Sequence, residues 1–102
     1  MKSRIDVSRL EAAIELLEGI SGAAQLLALK NLIINNNGRW DLPSAAKRPD
    51  GKPVYDPALV SVELFGVYAM SDEADELPTN WLRAARNILD AFDQATPPEA
   101  AA

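Results

Sequence analysis

The sequence predicts an α+β fold. It consists of an N-terminal helical hairpin, a small antiparallel sheet with its main strand at about 59–70, and a C-terminal amphipathic helix at about 78–93. Three observations predict it. Two apolar-periodic segments are joined by the short link "EGIS", which makes them packed neighbours. The stretch "LVSVELFGVYAM" is rich in β-branched and aromatic residues. Behind Pro78, "TNWLRAARNILDAF" returns to helical spacing, and a proline costs nothing in a first helical turn. Residues 1–93 read as a single domain and 94–102, rich in proline and alanine, as a disordered tail.

In the first helix Asp6 or Ser8 can cap the start, and Leu10, Ala13, Ile14 and Leu17 fall on one face. Glu11, Glu15 and Glu18 take the other face, and Gly19 ends the helix. Ser21 can cap the second, "SGAAQLLALKNLII", which is apolar nearly all round. A helix of that kind is buried on more than one side, in the core or in a partner. Read as one continuous helix from about Gly22 to Asn36, it stops where Asn37 or Gly38 takes the left-handed conformation, and Trp40 packs back on the core.

Residues 43–58 hold four of the seven prolines and form a loop, with "RPDGKP" as its turn. A connection of this length is functional, mobile, or host to a short strand at Val54–Asp56. In the strand that follows, alternation places Val60, Val62, Leu64 and Tyr68 on one face and Ser61, Glu63, Phe65 and Val67 on the other. Gly66 marks a bulge or bend. The polar groups of so long a strand need partners. Arg39–Leu42 and Pro53–Asp56 are the short candidates within the chain, and strand pairing with another chain is the alternative. In the last helix Trp81, Ala85, Ile88 and Phe92 form the buried stripe, with Leu82 and Leu89 beside it, while Arg83, Arg86, Asn87 and Asp90 face water.

Composition narrows the chemistry. The 102 residues include no cysteine and no histidine. Disulfides, thiolate zinc sites, cysteine nucleophiles and the commonest general base are therefore absent. "SAAK", Ser44 to Lys47, matches a serine–lysine acylase spacing but lies in a loop without any companion motif. The expectation is a non-enzyme with no cofactor and no metal. Charge within the first apolar stretch argues against a signal peptide, and no run of 18 apolar residues spans a membrane, so a cytoplasmic setting is expected. The net charge of −5 divides into +2 for residues 1–52 and −7 for 53–102. The acidic run Asp72, Glu73, Asp75 and Glu76 does not follow the calcium-loop pattern. It reads as a complement to the next helix's dipole or as a patch for a basic partner.

The segment "GAAQLLALKNLIINNNGRWDLP" resembles in part the helix-turn-helix of small phage repressors of the Cro type. Ala24 takes the small-residue position, Leu29 follows the turn, and Ile34 is the buried residue of the recognition helix. The resemblance implies a DNA-binding regulator using residues 22–39, with Lys30, Asn31, Asn35, Asn36 and Arg39 as DNA contacts. It departs from the pattern at Ala28, where glycine is usual, and at Asn37, where an apolar residue is usual.

The leading expectation is a small non-enzymatic protein–protein interaction or regulatory module acting as a homodimer. Its contact residues are taken to be Trp40, Phe65, Tyr68 and the acidic run Asp72, Glu73, Asp75, Glu76. By base rate alone, small acidic proteins of this kind are frequent among phages and other mobile elements. The partner is another protein or a second copy, nucleic acid is the second reading, and a membrane is not expected.

Overall fold

The computed structural model describes residues 6–95. Along the chain run α1 (Val7–Glu18), α2 (Ala23–Asn35), β1 (Arg39–Asp41), β2 (Val60–Leu64), β3 (Val67–Ser71) and α3 (Leu77–Ala95). The strands make one antiparallel sheet in the order β1-β2-β3. Its inner face carries Val60, Val62, Leu64, Val67 and Ala69 and is covered by α2 and α3, with α1 packed against both helices. This is the expected α+β arrangement. Of the segment expected to be a tail, residues 94–95 belong to α3 and 96–102 lie outside the described residues.

Asp6 caps α1 by accepting the Arg9 backbone N–H at 3.2 Å, which satisfies one donor that the first turn leaves open. Leu10, Ala13, Ile14 and Leu17 are the buried face, as the spacing requires. Ser21 does not cap α2. Gly22 holds that position at φ 68 and offers no side chain. The Gln25 amide instead donates to the Leu17 carbonyl at 2.9 Å, tying the start of α2 to the end of α1.

The α2 helix runs unbroken through Ala28–Lys30. Residues 22–39 therefore do not form two helices joined by a turn, and the helix-turn-helix geometry is absent from this segment. Unbroken helix follows from composition: between Ala23 and Ile34 there is neither glycine nor proline. Asn37 then reverses the chain at φ 61, and the Gly38 N–H donates to the Ile33 carbonyl at 2.8 Å, closing the helix end. Gly38 is glycine for a different reason. A Cβ there would overlap the Glu63 carbonyl oxygen of β2 and crowd the Ile33 Cγ2 at 3.1 Å.

Residues 59–70 are not one strand. β2 and β3 form a hairpin, with Leu64 opposite Val67 and Val60 opposite Ser71. Phe65 at φ 56 and Gly66 at φ 84 make the mirror-image two-residue turn that suits strand twist. The Glu63 carboxylate accepts the Gly66 N–H at 2.7 Å and holds the turn. A two-residue turn reverses the alternation: residues 64 and 67 share a face, where an unbroken strand pairs 64 with 68. Val67 is thus buried and Tyr68 exposed, the opposite of the continuous-strand assignment. The strand's partners lie within its own chain, since β1 pairs with β2 through Trp40 opposite Val62.

No strand forms at Val54–Asp56. Residues 43–58 make a ragged arm closed by a single bridge between Lys47 and Pro53 and by Val54 N–H to the Ala46 carbonyl at 2.9 Å. Its prolines and its tip glycine at φ 87 prevent a regular ladder. In α3, Leu77, Trp81, Leu82 and Ala85 are buried, and full burial of an aliphatic or aromatic side chain is worth about 1.5–3 kcal/mol. Ile88 and Leu89 are only partly buried, and Phe92 is exposed, because the helix runs past the end of the core it packs on. The Asn80 amide donates to the Met70 carbonyl at 3.1 Å and occupies an outward-pointing group on the edge of β3.

Gly38→Ala should destabilise the protein by about 1–3 kcal/mol through overpacking. Asn37→Gly should change stability by less than about 0.5 kcal/mol, since glycine suits a left-handed helix end. Urea unfolding midpoints at unchanged slope would measure both. Equal effects would show that the close approach of Gly38 to β2 does not limit packing.

Candidate interaction surfaces

The residues picked from sequence are spread over several surfaces. Trp40 lies on the inner face of β1, half-buried against the core, with the Lys30 ammonium 5.5 Å from the centre of its ring. That cation–π contact is worth about 0.5–1 kcal/mol at such a site. Phe65, at the hairpin turn, is also half-buried. It lines an open groove of about 360 Å³ with Arg9, Ala12, Leu16, Leu32 and Asn36. Tyr68 projects from the opposite, outer face of the sheet and is 62% exposed.

That outer face is continuous. Register places Arg39 beside Glu63 and Glu63 beside Tyr68, with Asp41 beside Ser61 and Ser61 beside Met70. Met70 is 57% exposed, and Leu59 lies exposed at the start of β2. The Tyr55 hydroxyl, from the arm, donates to the Asp41 carboxylate and fastens the arm to this face. The same hydrogen bond, chiefly, raises the phenol's pKa above its ordinary 10.0, because ionisation would place two anions together.

The acidic run begins where β3 ends. Asp72, Glu73, Asp75 and Glu76 are all exposed. Two of them have local roles. Glu76 accepts the Ser71 hydroxyl at 2.9 Å, and Asp75 lines a shallow cleft with Gly22, Ala23, Gln25 and Leu26 at the start of α2, which lacks a side-chain cap. Asp72 and Glu73 follow directly on the end of β3. No three carboxylates among the described residues converge to hold a metal ion.

The DNA-contact candidates are dispersed. Asn31 and Asn35 face outward on α2, Lys30 sits over Trp40, and the Asn36 amide donates to the Leu32 carbonyl at 2.8 Å. Arg39 is on the outer sheet face. Ser44 and Lys47 serve the arm. The Ser44 hydroxyl donates to the Ala46 carbonyl at 3.0 Å and accepts the Tyr55 N–H at 3.0 Å.

Exposed Leu27 and Ile34, each 58% exposed, form a second apolar surface on α2 that the site residues chosen from sequence do not include. Its signal was present in a helix apolar on every side: one side is buried in the chain and another is left outside. Met70 and Tyr55 were missed because only the hairpin and the arm bring them to the outer sheet face. Among the described residues no helix is long and apolar enough to cross a membrane.

The chain matches no family model, no curated protein and no solved structure.

Asp41→Asn should bring the Tyr55 pKa down toward its ordinary value, read from the phenol carbon shift against pH. The sign follows from linkage. A raised folded-state pKa means that the arm's anchoring is fully present below about pH 10 and is lost as pH rises through the folded value. An unchanged titration in the variant would show that the Tyr55–Asp41 bond does not form in solution.

Proposed function

We propose that this protein is a non-enzymatic interaction module that works as a homodimer and presents the outer face of its sheet to another protein. One observation carries the reading. Large apolar side chains stand exposed on two opposite surfaces, Leu27 and Ile34 outside the helical layer and Tyr68 and Met70 outside the sheet. Apolar surface left in water is unfavourable, and contiguous exposed patches mark sites of association. The sheet face carries Tyr68 beside Glu63 and Met70 beside Ser61, and the exposed Asp72 and Glu73 follow the end of β3, which suits a partner presenting apolar and basic side chains. A cytoplasmic setting accords with a chain without cysteine.

DNA binding through residues 22–39 is the reading this geometry favours less. Lys30 is engaged by Trp40, and Arg39 lies on another surface, so the cations needed for phosphate contact do not line up beside the asparagines.

Sedimentation at several concentrations, with and without mixed duplex DNA at low salt, tests the reading. The expected result is twice the 11.0 kDa chain mass, unchanged by DNA. A mass of one chain at every concentration, or a salt-sensitive shift with DNA, would overturn it.

A further inference from the structure

We infer that the outer face of α2 is where the second copy docks, about a two-fold axis that brings the two Asn31 side chains together. This rests on the self-association proposed above and assigns it a surface.

Ala24, Leu27, Asn31 and Ile34 follow one another at intervals of three, four and three residues, the spacing of a two-stranded helical seam. All four are exposed. The opposite side of the helix is anchored in the core by Leu29 and Ile33. A helix of 13 residues is too short to persist alone in water, but α2 is already folded on its own domain, so pairing requires no new helix.

Charge decides between occupants. Lys30 is the one charged residue of α2, and it sits over the Trp40 ring to the side of the stripe. In a chain of net charge −5, this stripe offers a charged partner nothing to pair with. A second copy brings no like charge against it. Asn31 adds a positive requirement. Its amide carries both donors and an acceptor, so it can satisfy an identical amide, which lysine or a carboxylate cannot do. A single asparagine among apolar seam positions also fixes the register of a pair. The outer sheet face does not meet this condition. It carries Arg39, Asp41 and Glu63 and ends at the acidic run, so it suits an unlike, basic partner better than its own copy.

The absence of native cysteine permits a direct test. Asn31→Cys, treated with a short bis-maleimide, should give nearly complete cross-linked dimer on a denaturing gel, while Tyr68→Cys treated alike should remain a single chain. The double variant Leu27→Glu with Ile34→Glu should raise the dimer dissociation constant by at least about a hundredfold, since like charges opposed across an interface cost several kcal/mol. Both positions face solvent, so its far-UV circular dichroism should match that of the parent. A double variant that still sediments as a dimer, or cross-linking at position 68 and not at 31, would overturn the α2 interface and leave self-association standing. A parent chain that stays at 11.0 kDa at every concentration would overturn both.

Discussion

The two-residue turn at Phe65–Gly66 sets what the protein buries and what it displays. Because residues 64 and 67 face each other, Val67 and Ala69 join Val60, Val62 and Leu64 under the helices, and Tyr68 and Met70 are turned outward. A phenylalanine at φ 56 is unfavourable by about 1–2 kcal/mol relative to an extended residue. Packing of its ring against the core and the Glu63–Gly66 hydrogen bond offset that strain. The same ring forms part of the groove between α1 and the end of α2, so the strained residue also shapes a surface.

A second joint depends on the first. β2 can accept β1 only if the chain leaving α2 passes close to the Glu63 carbonyl, where Gly38 leaves no room for a Cβ. Asn37 turns the chain and Gly38 lets it approach, so the two adjacent residues do separate work. With α2 tied at one end to β2 and at the other to α1 through Gln25, its orientation is set and one of its faces must point outward. The exposure of Leu27 and Ile34 follows from these constraints and from the apolar composition of α2.

The two apolar surfaces differ in electrostatic character, and the proposed reading gives them different partners. The helical stripe of Ala24, Leu27, Asn31 and Ile34 carries no charged side chain. The sheet face mixes aromatic, sulfur and carboxylate groups and runs into the acidic end of β3. On the proposed reading, a dimer joined through α2 would leave both sheet faces open, with the gain in avidity that follows from linking two copies of one surface.

The helices were legible because their information is local. Leu10, Ala13, Ile14 and Leu17 mark the buried face of α1, and Asn37 marks the stop of α2, through residue spacing and backbone preference alone. The chemistry excluded by the missing cysteine and histidine was equally plain. The hairpin was not legible, because "ELFGVY" carries phenylalanine where asparagine or aspartate would have announced the turn. One missed turn inverted the faces of Val67 and Tyr68. Whether an apolar helix is surrounded by its own chain is likewise not a local property. It depends on how much core there is to cover it, and here the sheet covers one side of α2 and leaves Leu27, Asn31 and Ile34 outside. The sequence by itself determined the helices, the α2 stop and the excluded chemistry, since these follow from neighbours along the chain. Only the tertiary structure decided the strand pairing, the outward face of the sheet and the open stripe on α2, since these depend on contacts between residues far apart in sequence.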